Sequence, residues 1–195
     1  MKNITQVKIA IKRKLHIFSK FGYGAFGKNS VIYKPILIVG KKRIFIGKNV
    51  FFRNGLRMEC ISEHIDQKFD EAIIEIGDNS SFEQGAHITS AGKLKIGSNC
   101  VFLANTMITN IDHDYRNIGE NVLKQDFVVK TTIIEDDCFI GMDVKIFPGS
   151  HIGKNSIIGA NSIVMGDIPS YCVAVGCPAK VIKRYDHNTQ KWVKV

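Results

Sequence analysis

The chain has 195 residues, 45% of them hydrophobic, with 27 Lys plus Arg against 18 Asp plus Glu and a formal net charge of +9. That length supports one domain with a substantial core, and no apolar run approaches the roughly 20 residues that a membrane-spanning helix needs. The positive charge comes without a nucleic-acid recognition module. The five cysteines, an odd number without paired spacing, fit a cytoplasmic protein rather than a disulfide framework.

The charge is concentrated at the start: residues 1–58 carry 14 basic and no acidic side chains, and residues 59–195 carry 13 basic and 18 acidic. Within residues 1–20, Ile4, Val7, Ile11, Leu15 and Phe18 recur at three- and four-residue spacing among Lys2, Lys8, Lys12, Arg13, Lys14 and Lys20. This pattern predicts a basic amphipathic helix. Such a helix either caps the open end of the next element or makes a peripheral contact with an anionic membrane surface. As a secretory signal it is poor, lacking a long apolar stretch and a small-residue cleavage site. The G-x-G-x-x-G at Gly22, Gly24 and Gly27 reads as a joint, because a helical segment precedes it and strand-like sequence follows, the reverse of a dinucleotide site.

From Ile134 to Pro169 the sequence divides into six hexapeptides, opened by Ile134, Ile140, Ile146, Ile152, Ile158 and Val164. A strict period of six belongs to a parallel β-helix, in which three short strands form a triangular coil and the openers stack inward. The residue four places later is mostly small (Cys138, Val144, Ser150, Ser156, Ser162, Ile168), which suits corners, and Cys100 and Cys138 are packing residues there. Gly141, Gly153 and Gly159 follow their openers where a bend needs unusual dihedrals. Earlier coils are opened by Ile46, Phe52 and Met58, by Ile76, Phe82 and Ile88, and by Ile96, Phe102 and Ile108, with Val128 also in register.

Three breaks interrupt the register: a polar stretch between Cys60 and Ala72, two extra residues around Ala91 and Gly92, and a long segment from about Asn110 to Phe127. Solenoid insertions leave at corners and commonly carry function. The third break contains His113, flanked by Asp112 and Asp114 and followed by Tyr115 and Arg116. A neutral imidazole is suited to accept a proton near pH 7, and a carboxylate or carbonyl on its other nitrogen would fix its tautomer. Among the other histidines, His64 lies in a polar loop and ranks below His113; His87, beside opener Ile88, points outward and can line a cleft. Cys172 and Cys177, with no second pair, do not make a zinc set.

The hexapeptide run, the loop TNIDHDYRNIG, the segment CFIGMDVKIFPGSHIGKNSIIGANSIV and the tail DIPSYCVAVGCPAKVIKRYD together resemble the left-handed β-helix hexapeptide-repeat acyltransferases. The likeness is to the sugar O-acetyltransferases of capsule, O-antigen and exopolysaccharide biosynthesis, and it covers roughly residues 30–186. The resemblance implies an all-β solenoid at 28–178 with loop insertions near 60–73 and 110–127, preceded by the helix and joint at 1–27 and followed by a short C-terminal helical tail at 179–195. It implies a cytoplasmic homotrimer with active sites between subunits, and acetyl-CoA as donor with no metal. It assigns His113 as general base and the backbone N–H of Met142 as oxyanion donor. Gly141, Gly159 and Ala160 would contact the pantetheine arm, and Lys180, Lys183 and Arg184 the phosphates. His87, Asp112, Asp114, Tyr115 and Arg116 would meet the sugar or lipid-linked oligosaccharide acceptor. Phe139 and Gly166 stand where that family often has tryptophan and lysine. A sugar-nucleotide N-acetyltransferase shares the fold and donor and remains the alternative. A carbonic anhydrase of this fold would need three histidines around zinc, and position 118 is Ile118. A silent scaffold would not bind coenzyme A.

Overall fold

The structure, a computed structural model, describes residues 20–195, so the helix expected from Ile4 to Phe18 lies outside the described residues. Short parallel strands, mostly two to four residues long, build three faces of a prism. Face A holds Ala25–Phe26, Ile44–Ile46, Ile73–Ile76, Lys93–Ile96, Thr132–Ile134, His151–Ile152 and Asp167–Ile168. Face B begins at Val31–Ile32 and reaches Cys172–Val175; face C runs from Leu37–Val39 to Ile163–Val164. The first strand, Ala25–Phe26, lies inside the stretch read from sequence as a joint.

The openers stack in register through the whole solenoid. On face A, Ile46, Ile76, Ile96, Ile134, Ile152 and Ile168 follow one another. On face B, Phe52, Phe82 and Phe102 stack with ring centroids 4.5 Å apart at each step. On face C, Met58, Ile88, Ile108, Ile146 and Val164 do the same. All but Ile168, at 6%, are at most 3% exposed. Parallel pairing puts identical positions on top of one another, so one residue type repeated along a column fills its layer at each level. Ile168 joins the face A column only four residues after Val164, so the last coil is shortened at its corner, where Gly166 has φ 95°.

Corners are built from two devices. Asn49, Asn79, Asn99, Asp137 and Asn155 occupy the left-handed region that short polar side chains tolerate best. Four of these positions are tied into a ladder that starts at Asn29: Asn29, Asn49, Asn79 and Asn99 each donate to the next coil, ending on Asp137, at 3.0 to 3.2 Å. The buried hydroxyls bridge coils as well: Ser80 donates to the Gly97 carbonyl and accepts from the Cys100 N–H. Gly141, Gly153 and Gly159 correct the sequence expectation, because none has a positive φ. They are glycine because the next coil passes too close: a Cβ on Gly141 would lie 2.5 Å from the Ala160 nitrogen, and one on Gly153 2.4 Å from the Ser170 nitrogen.

The tail is a second correction. Instead of a helix, Lys180–Asp186 and Lys191–Lys194 form an antiparallel hairpin that extends face B beyond Cys172–Val175. The stretch VIKRY is rich in β-formers, and the last coil would otherwise leave an unpaired edge. Val128 is a third correction: it lies in the strand Phe127–Val129, which pairs antiparallel with Ile111–His113 outside the solenoid.

Phe82 sits at the middle of the aromatic stack and is 1% exposed. Phe82→Ala should cost about 3–5 kcal/mol of stability, read as a lower denaturant midpoint at fixed protein concentration.

Candidate active site

All three breaks in the register fall at the same corner, between faces C and A. The first insertion leaves after Arg57–Cys60, the short break follows His87–Ser90 one coil later, and the long insertion leaves after Met107–Thr109 one coil beyond that. The long insertion forms an arm whose two strands pair Ile111 with Val129, Asp112 with Val128 and His113 with Phe127. Asn110, fully buried, anchors its base: its side-chain oxygen accepts the Ala91 N–H at 3.0 Å, and its backbone pairs with Thr89 and Lys130. At the tip, Gln125 accepts from the Asn117 N–H and donates to the carbonyls of Asn117 and Glu120, closing the loop. Gly92 leaves room for this arm, because a Cβ there would lie 2.6 Å from Val129 Cγ1.

His113 is half-buried at the end of the first arm strand. Its Nδ1 is buried and has no hydrogen-bond partner among the described residues. The ring meets the Phe127 ring edge-on, with centroids 5.0 Å apart. Neither neighbouring carboxylate orients the imidazole. Asp112 accepts the His113 backbone N–H, and Asp114 is engaged by Arg116, whose Nε reaches both carboxylate oxygens at 2.9 Å. That pairing lowers the Asp114 pKa from 3.8 to about 2. Tyr115 is exposed. On the opposite side of the arm, Asp112 lines a cleft of about 320 Å³ with Lys130, Phe147, Pro148, Gly149, Met165 and Gly166.

His64, ranked low from sequence, belongs to this site. The hairpin Glu63–His64 and Gln67–Lys68 of the first insertion folds against the arm. The His64 ring stacks on Phe127 at 3.7 Å, nearly parallel, and its centroid is 6.4 Å from that of His113. Nothing local in the sequence signals this contact, which joins residues 60 or so positions apart.

The other candidates form a separate group. Met142 lies at the corner between faces B and C, and its N–H donates to no group among the described residues; the same holds for Ala160, one coil on. The N–H groups of Gly141 and Gly159 are already donated, to Ile158 and Ala174. Gly159 abuts Val175, which pairs with Lys180, so Met142, Ala160 and Lys180 follow one edge of the prism. A register shift between Val173 and Ala174 pairs Lys183 with Val173 and Lys180 with Val175, placing both lysines on the same outer face, while Arg184 pairs with Cys172 on the other. His87 stands on the outside of face C, bonded to Thr89 Oγ1 at 2.9 Å; burial, then the charge of Arg57, pushes its pKa down. No contact joins His113 to Met142: they come from opposite edges of face C. Among the described residues no three His, Cys, Asp or Glu side chains converge as a metal set, and no helix is long and apolar enough to cross a membrane.

Residues 131–166 match the family model described as bacterial transferase hexapeptide (six repeats). Galactoside O-acetyltransferase of Escherichia coli (strain K12) is 33% identical over 166 residues, covering 75% of this chain and 81% of that protein. The putative lipopolysaccharide biosynthesis O-acetyl transferase WbbJ of Escherichia coli (strain K12) is 28% identical over 171 residues, 84% of this chain and 83% of that protein. Among solved structures, a mutant of AntD, an N-acyltransferase from Bacillus cereus in complex with dTDP and coenzyme A, superposes with a TM-score of 0.70 at 20% identity. It covers 88% of this chain and 89% of that one, a likeness of fold.

The Asp114–Arg116 pair gives a direct titration test. Its contribution is complete above the unfolded carboxyl value of 3.8 and is lost as pH falls through about 2. In Arg116→Ala the Asp114 carboxyl should titrate higher than in the wild type but still below 3.8, because the backbone N–H of residue 116 still donates to it, measured by carboxyl-carbon chemical shift.

Proposed function

Because this chain belongs to the left-handed β-helix hexapeptide-repeat acetyltransferases, we propose that it transfers an acetyl group from acetyl-CoA to a sugar hydroxyl in bacterial surface-polysaccharide biosynthesis, with His113 as general base. The observation that carries this reading is that His113, half-buried with Nδ1 enclosed, stands on an arm held at a corner of the solenoid. The names of the two relatives favour a hydroxyl acceptor. The AntD complex keeps a sugar-nucleotide N-acetyltransferase as the second reading and supports coenzyme A as the carrier of the acyl group.

In this reading His113 Nε2 takes the proton from the acceptor hydroxyl as its oxygen attacks the thioester carbonyl. The carbonyl oxygen gains negative charge and is met by the Met142 N–H, which has no competing acceptor among the described residues. Collapse of the tetrahedral intermediate breaks the C–S bond, and the leaving thiolate recovers the proton from the imidazolium. Ala160 N–H and the carbonyls of Gly141 and Gly159 line the path of the pantetheine arm. Lys180 and Lys183 share the face on which phosphates would lie, with Arg184 behind it. His87, Tyr115 and Asp112 are left to the acceptor, and Asp114 with Arg116 shapes the loop.

His113 and Met142 stand at opposite edges of face C, so a second copy has to bring the oxyanion donor to the arm. The arm tip supports this with exposed Tyr115, Ile118 and Leu123. We read the protein as a trimer with sites between subunits, acting in the cytoplasm, where residues 1–20 provide a peripheral contact with an anionic inner membrane face.

His113→Ala should lose turnover by about 10²- to 10⁴-fold while coenzyme A affinity, measured by calorimetry, stays within a few-fold. Near-normal turnover would remove His113 as the base. Acetyl-CoA consumption against a panel of neutral sugars, amino sugars and lipid-linked oligosaccharides should favour hydroxyl acceptors; preference for an amino sugar would select the second reading. Light scattering should give about three times the 21.8 kDa chain mass.

A further inference from the structure

We propose that the hairpin of the first insertion sets the orientation of the His113 imidazole, with His64 and Gln67 as positioning residues. The inference rests on the reading of His113 as the base. The contacts form one connected path. Gln67 grips the backbone of Phe127 from both sides, accepting its N–H at 2.6 Å and donating to its carbonyl at 3.1 Å. His64 covers the face of the Phe127 ring at 3.7 Å, and its Nε2 lies 3.0 Å from the Gln125 carbonyl. A carbonyl only accepts, so Nε2 carries the proton in His64. Phe127 is the residue directly opposite His113 in the arm pairing, and its ring edge lies against the imidazole. The hairpin therefore holds the backbone and the ring of a residue that buttresses the base.

Three further observations show that this contact is built. The hairpin is fixed at its root, where Arg43 Nη1 donates to the carbonyls of Phe69 and Asp70 at 2.8 and 2.6 Å. Its turn places Ile65 at φ 53°, a left-handed conformation that a β-branched residue adopts at a cost. That turn leaves His64 and Gln67, the two residues flanking it, directed at the same target. Among the described residues His113 has no hydrogen bond on its buried Nδ1, and the Phe127 ring packs against its imidazole. A misplacement of about 1 Å at a reacting group can cost on the order of 10²-fold in rate, so a base held by packing depends on what holds the packing.

The test uses the full chain, with the histidines labelled with ¹⁵N and the His113 ring signal assigned by its loss in His113→Ala. His64→Ala and Gln67→Ala should shift or split that signal, whereas His64→Phe, which keeps the stacked ring and removes both nitrogens, should leave it close to wild type. With acetyl-CoA and the accepted sugar of the panel above, the two alanine variants should lose about 10- to 100-fold in kcat with KM for acetyl-CoA within two-fold, and His64→Phe should stay within about three-fold. In the His113→Ala background the alanine substitutions should cause no further loss. An unchanged His113 signal in both alanine variants overturns the proposal. So does a His64→Phe variant as impaired as His64→Ala, or the same fractional loss with and without His113. Near-normal turnover of His113→Ala overturns the base reading instead, and the ring spectra then still decide whether the hairpin holds His113.

Discussion

Everything in this molecule depends on the spacing between one coil and the next, which backbone pairing holds at about 4.8 Å. At that distance a side chain meets the same position of the neighbouring coil, so the interior is a set of columns, each tolerant of only a narrow range of shapes. The face B column shows the result, with Phe52, Phe82 and Phe102 stacked ring on ring before the column changes to Ile140 and Ile158. The same spacing explains the exterior. Gly141 and Gly153 have no space for a methyl group because the following coil lies against them. The asparagines at successive corners form a ladder because each repeats at the pitch of the one before.

A scaffold so regular can accept extra chain only where a coil turns, and in this protein one turn has taken it all. The hairpin, the Ala91–Gly92 break and the arm occupy three consecutive levels of the corner between faces C and A. Two of them project far enough to touch. The middle one is reduced to small residues, so Val129 of the arm can lie over it. The columns beneath are not disturbed: Ile96 and Ile134 remain stacked neighbours although 38 residues separate them. The proposed base is thus carried on an arm whose root is tied to the coils beneath through Asn110.

The two edges given roles in the proposed reaction differ in what they expose. At the corner between faces B and C, the N–H after each opener's glycine or leucine finds no acceptor among the described residues, as at Met142 and Ala160. Such groups are ready donors for a ligand running along the edge, and they cost nothing in the fold because solvent reaches the corner. The arm at the other edge presents a side chain, the imidazole of His113, which is the proposed base. Separation of the two edges across face C makes a single chain incomplete for the proposed reaction.

The period of six in residues 134–169 was sufficient to define the architecture, because no other structure repeats its core at that interval, and the aliphatic openers it marked are the buried columns. The proposed base, His113, is the histidine of the longest interruption, so its place on an insertion was legible from the sequence. The tail was misread as helical although VIKRY has the composition of a strand, and its conformation was decided by the open edge of face B that it covers. The glycines were identified correctly but for a local reason, whereas the actual cause is a neighbouring coil about 18 residues away. His64 and Gln67 could not be read from sequence at all. Their partner Phe127 is some 60 residues distant, and only the winding of the solenoid, which returns the chain to the same corner at every turn, brings them together. Local pattern determined where the chain repeats and where it departs from the repeat; three-dimensional stacking decided which departures meet, because contact across coils depends on the pitch and not on the residues in between.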